Sequence, residues 1–88
     1  MTERDILKRL TEILCDLLSD DSIVLRMETT REGVPNWDSF AYVNFIVAVE
    51  MEFRLKFRIA EVESFQNVGA IVQRISSILE PREQHSTT

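Results

Sequence analysis

Residues 37–54 read Trp37-Asp38-Ser39-Phe40-Ala41-Tyr42-Val43-Asn44-Phe45-Ile46-Val47-Ala48-Val49-Glu50-Met51-Glu52-Phe53-Arg54. From Ser39 to about Arg54 this is the longest apolar-rich stretch of the chain. At about 100° per residue its apolar side chains fall on two faces of a helix. Tyr42, Phe45, Ile46, Val49 and Phe53 make one, suited to a core; Phe40, Val43, Val47 and Met51 make the other, beside Ser39. A helix apolar nearly all round is normally enclosed, but so short a chain buries only ~60–65% of the surface it exposes when unfolded. Either loop residues 23–34 cover the second face or it is left for a partner. At the head of the helix, Asp38 reads as the N-cap, Ser39 as a tolerated first-turn residue and Trp37 as a hydrophobic staple.

Upstream, Ile6, Leu7, Leu10, Ile13, Leu14, Leu17 and Leu18 follow the i, i+3, i+4, i+7 spacing of an amphipathic helix starting near Glu3. Thr2 with Asp5 three residues later forms its capping signature, and Ser19-Asp20-Asp21-Ser22 ends it. Cys15 projects away from the centre of the apolar stripe and reads as an incidental, accessible thiol. From Asp20 to Asp38 the pattern dissolves: Ile23, Val24, Leu25 and Met27 could make a short strand, but no partner strand follows. Ile23, Leu25 and Val34 can anchor this long loop on the core, with Pro35 biasing Val34 away from helical geometry. Downstream, Ala60 to Ser64 makes one short helical turn. Asn67 then caps a last helix that turns Val68, Ile71, Val72, Ile75, Ile78 and Leu79 inward. Pro81 stops it, and Arg82 to Thr88 is a polar tail. The expected fold is all-α: a small bundle of three main helices plus one short helix, with a long loop between the first and second. Residues 1–80 form one domain and 81–88 a polar tail.

Composition sets the function classes. The chain has 88 residues, 44% of them hydrophobic, with two glycines, two prolines and a formal charge of −5. That length allows one domain, and so apolar a chain is not disordered. An acidic surface repels phosphate backbones, so no nucleic-acid partner is expected. No apolar run approaches the ~20 residues of a bilayer span, and MTERDILKRL has no signal-peptide h-region, so no membrane association is expected. The single cysteine excludes an internal disulfide framework and fits a reducing compartment; the expected location is the cytoplasm. Catalytic sets are missing. The only histidine, His85, lies in the tail, there is no nucleophile elbow or P-loop, and one Cys with one His makes no zinc set. Glu50 and Glu52 stand on a helix with no basic or metal partner. The chain is expected to have no catalytic residues and no metal.

What remains is Asp38-Ser39, where the long loop meets the helix. As local structure the pair is a helix cap. The same geometry also suits a modification, because a phosphodiester on Ser39 would lie beside the unpaired N–H groups and positive end of the helix.

Here the chain resembles the acyl carrier proteins, the phosphopantetheine-binding carrier family, in its discrete stand-alone form. That family has a D-S-L motif at the start of its second helix, followed by an apolar helix that ends in acidic residues and phenylalanine. Asp38-Ser39-Phe40 stands at the motif, and Val43, Phe45, Ile46, Ala48, Val49, Glu50, Glu52 and Phe53 follow at the family's spacings. Thr29 to Trp37 is similar to the loop of carriers reading W-D-S-L, and Asn67-Val68 with Ile71, Val72 and Ile75 to the family's fourth helix. The resemblance implies that Ser39 receives 4′-phosphopantetheine from coenzyme A through a phosphopantetheinyl transferase, with Asp38 as the motif's cap. The arm would hold acyl groups as thioesters for acyl-loading and acyl-processing enzymes, in a fatty-acid-like, polyketide-like or other specialised pathway. Phe40, Val43, Val47 and Glu50 would be the docking surface of a monomeric carrier. Two departures matter: Phe40 replaces leucine, and Ala41 and Asn44 stand where fatty-acid-synthesis carriers often place acidic residues. The alternatives are an unmodified helical protein–protein interaction module and a carrier for an aminoacyl group.

Overall fold

The computed structural model describes residues 2–79. Four α-helices follow in order: α1 (Glu3–Leu18), α2 (Ser39–Phe53), α3 (Ile59–Ser64) and α4 (Val68–Leu79). A single 3₁₀ turn at Arg31–Gly33 interrupts the long α1–α2 connection, and there is no strand among the described residues. The three main helices and the short one are therefore present as expected. None is long and apolar enough to cross a membrane.

Helix α1 starts where Thr2 Oγ1 accepts from the Asp5 N–H at 3.1 Å while the Asp5 carboxylate accepts from the Thr2 N–H at 3.2 Å. Asp5 thus does the work usually given to a glutamate in a capping box. The helix ends at Ser19 in the left-handed region (φ 53°). Ile6, Leu10 and Leu14 are its fully buried residues, and they meet Phe45 and Val49 of α2 and Ile71, Val72 and Ile75 of α4 in one core. Helix α1 packs against both α2 and α4. Leu17 and Leu79, expected to point inward, are exposed: each lies in the last turn of its helix, beyond the packed stretch.

The α1–α2 loop contains no strand at Ile23–Met27. Leu25 is buried while Val24 is exposed, and the backbone is held by separate ties rather than by a ladder. Thr11 Oγ1 accepts from the Leu25 N–H at 3.4 Å, and the Cys15 thiol donates to the Ile23 carbonyl at 3.4 Å. Cys15 is accordingly half-buried and engaged, not an accessible thiol. Further on, the Thr29 and Met27 carbonyls accept from the Val68 and Gly69 N–H groups at 2.8 and 2.7 Å. The loop thereby satisfies two of the donors that the start of α4 would otherwise leave unpaired. Ile23 and Val34 pack on the core, and Val34 is extended (φ −116°, ψ 119°) ahead of Pro35.

Arg54, left-handed at φ 57°, closes α2. In the link that follows, Leu55 and Phe57 are buried while Arg54, Lys56 and Arg58 are exposed. Phe57 packs edge-on against Phe65, with ring centroids 5.4 Å apart. Helix α3 buries none of its own residues. It is tied down by the Tyr42 hydroxyl, which donates to the Val62 carbonyl at 2.7 Å, and by an ion pair between Glu61 and Arg74 of α4. Asn67 Oδ1 accepts from the Ala70 N–H at 2.9 Å, the expected cap of α4. The stop at Pro81 and the tail 82–88 with His85 lie outside the described residues.

Candidate functional site

Ser39 is the first residue of α2, and it is exposed. Asp38 caps the helix: its Oδ1 accepts from the Ala41 N–H at 2.9 Å and its carbonyl from the Tyr42 N–H at 2.8 Å. The N–H groups of Ser39 and Phe40 keep no acceptor among the described residues. Trp37 is 4% exposed, with its ring edge-on to Phe45 at 5.1 Å and tilted against Tyr42 at 6.1 Å. Its contact with Tyr42, four residues into the helix, is the expected staple. The indole roots the junction of loop and helix in the core, so Ser39 is presented from a fixed point. Trp37 Nε1 is buried with no acceptor.

A cleft of about 920 Å³ opens beside Ser39 between α2 and α3. Val43 and Val47 line it from α2, Ile59 and Val62 from α3, and Trp37 and Phe65 also contribute to its walls. Arg31 and Lys56 bring positive charge to its edge and Glu32, Glu50 and Glu63 negative charge, with the Arg31 guanidinium 5.3 Å from the centre of the Tyr42 ring. Burial pushes the Tyr42 phenol above its ordinary value, with Arg31 pulling weakly the other way. The hydroxyl therefore stays protonated and keeps donating to α3.

The second face of α2 is open. Phe40 is 78%, Val43 55%, Val47 47% and Met51 74% exposed, so loop 23–34 does not cover it. The structure thus brings Ser39, Phe40, Val43 and Val47 onto one accessible strip. Glu50 is placed differently: its carboxylate is half-buried and accepts from the Phe57 N–H at 2.8 Å. Glu52, read as having no basic partner, is paired with Arg9 of α1. The sequence separation of these contacts, 7 and 43 residues, hid them from pattern reading. Lys56 and Ile59 were also missed as cleft residues. For Lys56 the signal was the alternation Leu55-Lys56-Phe57-Arg58, an extended segment that faces the core with every second residue.

No family model matches the chain. Among solved structures, the chain is similar to the solution NMR structure of a holo acyl carrier protein from Geobacter metallireducens. The two share 34% sequence identity over 90% of this chain and 91% of the other, with a TM-score of 0.79. The chain belongs to the acyl carrier protein family. The carrier's four helices and long first connection are those of a fold with the same order and near-complete coverage, and the resemblance first seen around Asp38-Ser39 extends over almost the whole chain.

Proposed function

We propose that this chain carries acyl groups on a 4′-phosphopantetheine arm bound to Ser39 Oγ, the arm being delivered from coenzyme A by a phosphopantetheinyl transferase. The observation that carries the reading is Ser39 itself, exposed in the first turn of α2 at the edge of an apolar cleft. The residues present fit the group. A phosphodiester on Ser39 lies beside the free N–H groups of Ser39 and Phe40 and the positive end of α2, with Arg31 and Lys56 nearby to offset its charge. Bound there, the arm supplies a terminal thiol on which acyl groups are held as thioesters. The chain's own part is to present, not to react. Asp38 and Trp37 fix the start of α2, while Phe40, Val43 and Val47 give acyl-loading and acyl-processing enzymes an apolar surface, with Glu50 at its border. The carrier serves those enzymes as a cosubstrate, as a cytoplasmic monomer with residues 1–80 as its domain.

Intact-protein mass tests the reading. Incubated with coenzyme A and a broad-specificity transferase, the wild type gains one phosphopantetheinyl unit and Ser39→Ala gains none. Modification of Ser39→Ala, or no modification of the wild type by a transferase active on another carrier, overturns it.

A further inference from the structure

The link that follows the open strip of α2 carries a row of three exposed cations on a chain that is acidic overall. The chain carries a formal charge of −5, yet the carboxylates of α2 and its cap are each engaged by a group of their own fold. Asp38 caps the helix, Glu50 holds the Phe57 N–H and Glu52 pairs with Arg9. On α3, Glu61 accepts from the Arg58 N–H and pairs with Arg74, which leaves Glu63 as that helix's uncommitted acid. The cations are disposed the other way. The strip runs Phe40, Val43, Val47, Met51 in steps of three and four, and Arg54 is its next position. Leu55 and Phe57 are buried, so alternation in the extended link throws Arg54, Lys56 and Arg58 outward. Lys56 lines the same cleft as Ser39, Val43 and Val47, and Arg58 leads into Ile59, which is 78% exposed beside it. Among the described residues none of the three cations makes an ion pair.

We infer that the enzyme meeting this strip is a protein whose contact surface is apolar at its centre and rimmed by carboxylates where it faces Arg54, Lys56 and Arg58. The inference rests on the carrier reading and adds the partner's chemistry to it. Apolar contact supplies most of the affinity, because Val43 and Val47 leave water when a partner covers them. The basic row selects among partners and speeds encounter, the usual effect of rim charges. A partner rimmed by lysine and arginine is repelled from the same row.

The test uses two phosphopantetheinyl transferases, one with an acidic and one with a basic carrier-contact rim. Loading of the full chain is followed by intact mass at low and moderate salt. The acidic-rimmed enzyme loads the wild type faster by about tenfold at low salt, and the advantage shrinks as salt screens it. In Arg54→Glu/Lys56→Glu/Arg58→Glu, with an unchanged helical circular-dichroism signal, the preference reverses. Equal rates, or a wild-type preference for the basic-rimmed enzyme, overturn the inference while leaving Ser39 as the attachment site. Binding of Ser39→Ala to each immobilised transferase reads the docking preference even where no arm is transferred, so failure of the modification reading is seen separately. Sedimentation with phosphatidylglycerol vesicles that is lost in the triple variant would assign the row to a lipid surface and overturn the protein partner.

Discussion

Gly69 lies where the long loop crosses the start of α4. A Cβ there would stand 2.8 Å from the Met27 carbonyl oxygen, whose bond to the Gly69 N–H holds the loop in place. The obstacle is backbone, so it cannot rotate away. Gly69→Ala should cost ~1–3 kcal/mol, the range for a forced fit in a packed site, read as a lower urea midpoint. Glu50 is the second decisive residue. Its acceptor role predicts that Glu50→Ala loses ~0.5–1.5 kcal/mol, one backbone hydrogen bond, while Glu50→Gln, which keeps an acceptor oxygen, loses less. Equal losses in denaturant titrations would show that the contact with Phe57 contributes nothing. Asp38 and Trp37 were legible because a cap and a staple act within a few residues of themselves. Gly69 and Glu50 were not, because their partners belong to other segments of the backbone.

At the scale of the element, α2 has two apolar faces with different tasks. Phe45 is wholly enclosed and Phe53 nearly so, and truncating either to Ala should cost ~3–5 kcal/mol. Met51→Ala, on the open strip, should cost far less; comparable losses at Met51 and Phe53 would mean that the strip is packed. Val43→Asp should leave the helical circular-dichroism signal nearly intact yet sharply slow acyl transfer by a cognate enzyme. Glu50→Gln should slow it less, since an exposed ion pair is worth only ~0.2–1 kcal/mol and Glu50 is already engaged. Steady-state transfer kinetics on both variants decide this, and a larger defect at Glu50 would show that charge rather than apolar contact selects the enzyme. The periodicity of α2 divided its faces correctly. It did not say that the second face is open, because a hydrophobic period records which side chains share a side, not what lies opposite.

For the whole molecule, acid is the informative stress. Two carboxylates sit at helix starts and titrate below their ordinary values: Asp5 chiefly through the Thr2 N–H, and Glu61 through the Arg58 N–H and then Arg74. Their folded forms bind protons less readily than the unfolded chain does. The stability they contribute is therefore complete above the ordinary values of 3.8 and 4.5 and is lost as pH falls through the lower folded ones. The thermal midpoint should drop on going from about pH 5.5 to about pH 3, and drop less in Asp5→Asn/Glu61→Gln; an undiminished drop would place the acid sensitivity elsewhere. The sequence alone determined the number and order of the helices, the caps of α1, α2 and α4, their core faces apart from Leu17 and Leu79, and Ser39 at the head of α2. Those features depend on spacing and on contacts within one turn, which a linear pattern records in full. Only the tertiary structure decided that loop 23–34 runs to α4 instead of over α2, and that Glu50 reaches the Phe57 N–H and Glu52 pairs with Arg9. It also decided that Lys56 and Ile59 join Val43 and Val47 around one cleft. Each of these depends on the direction in which one element crosses another, and that direction is set by the packing of the whole core.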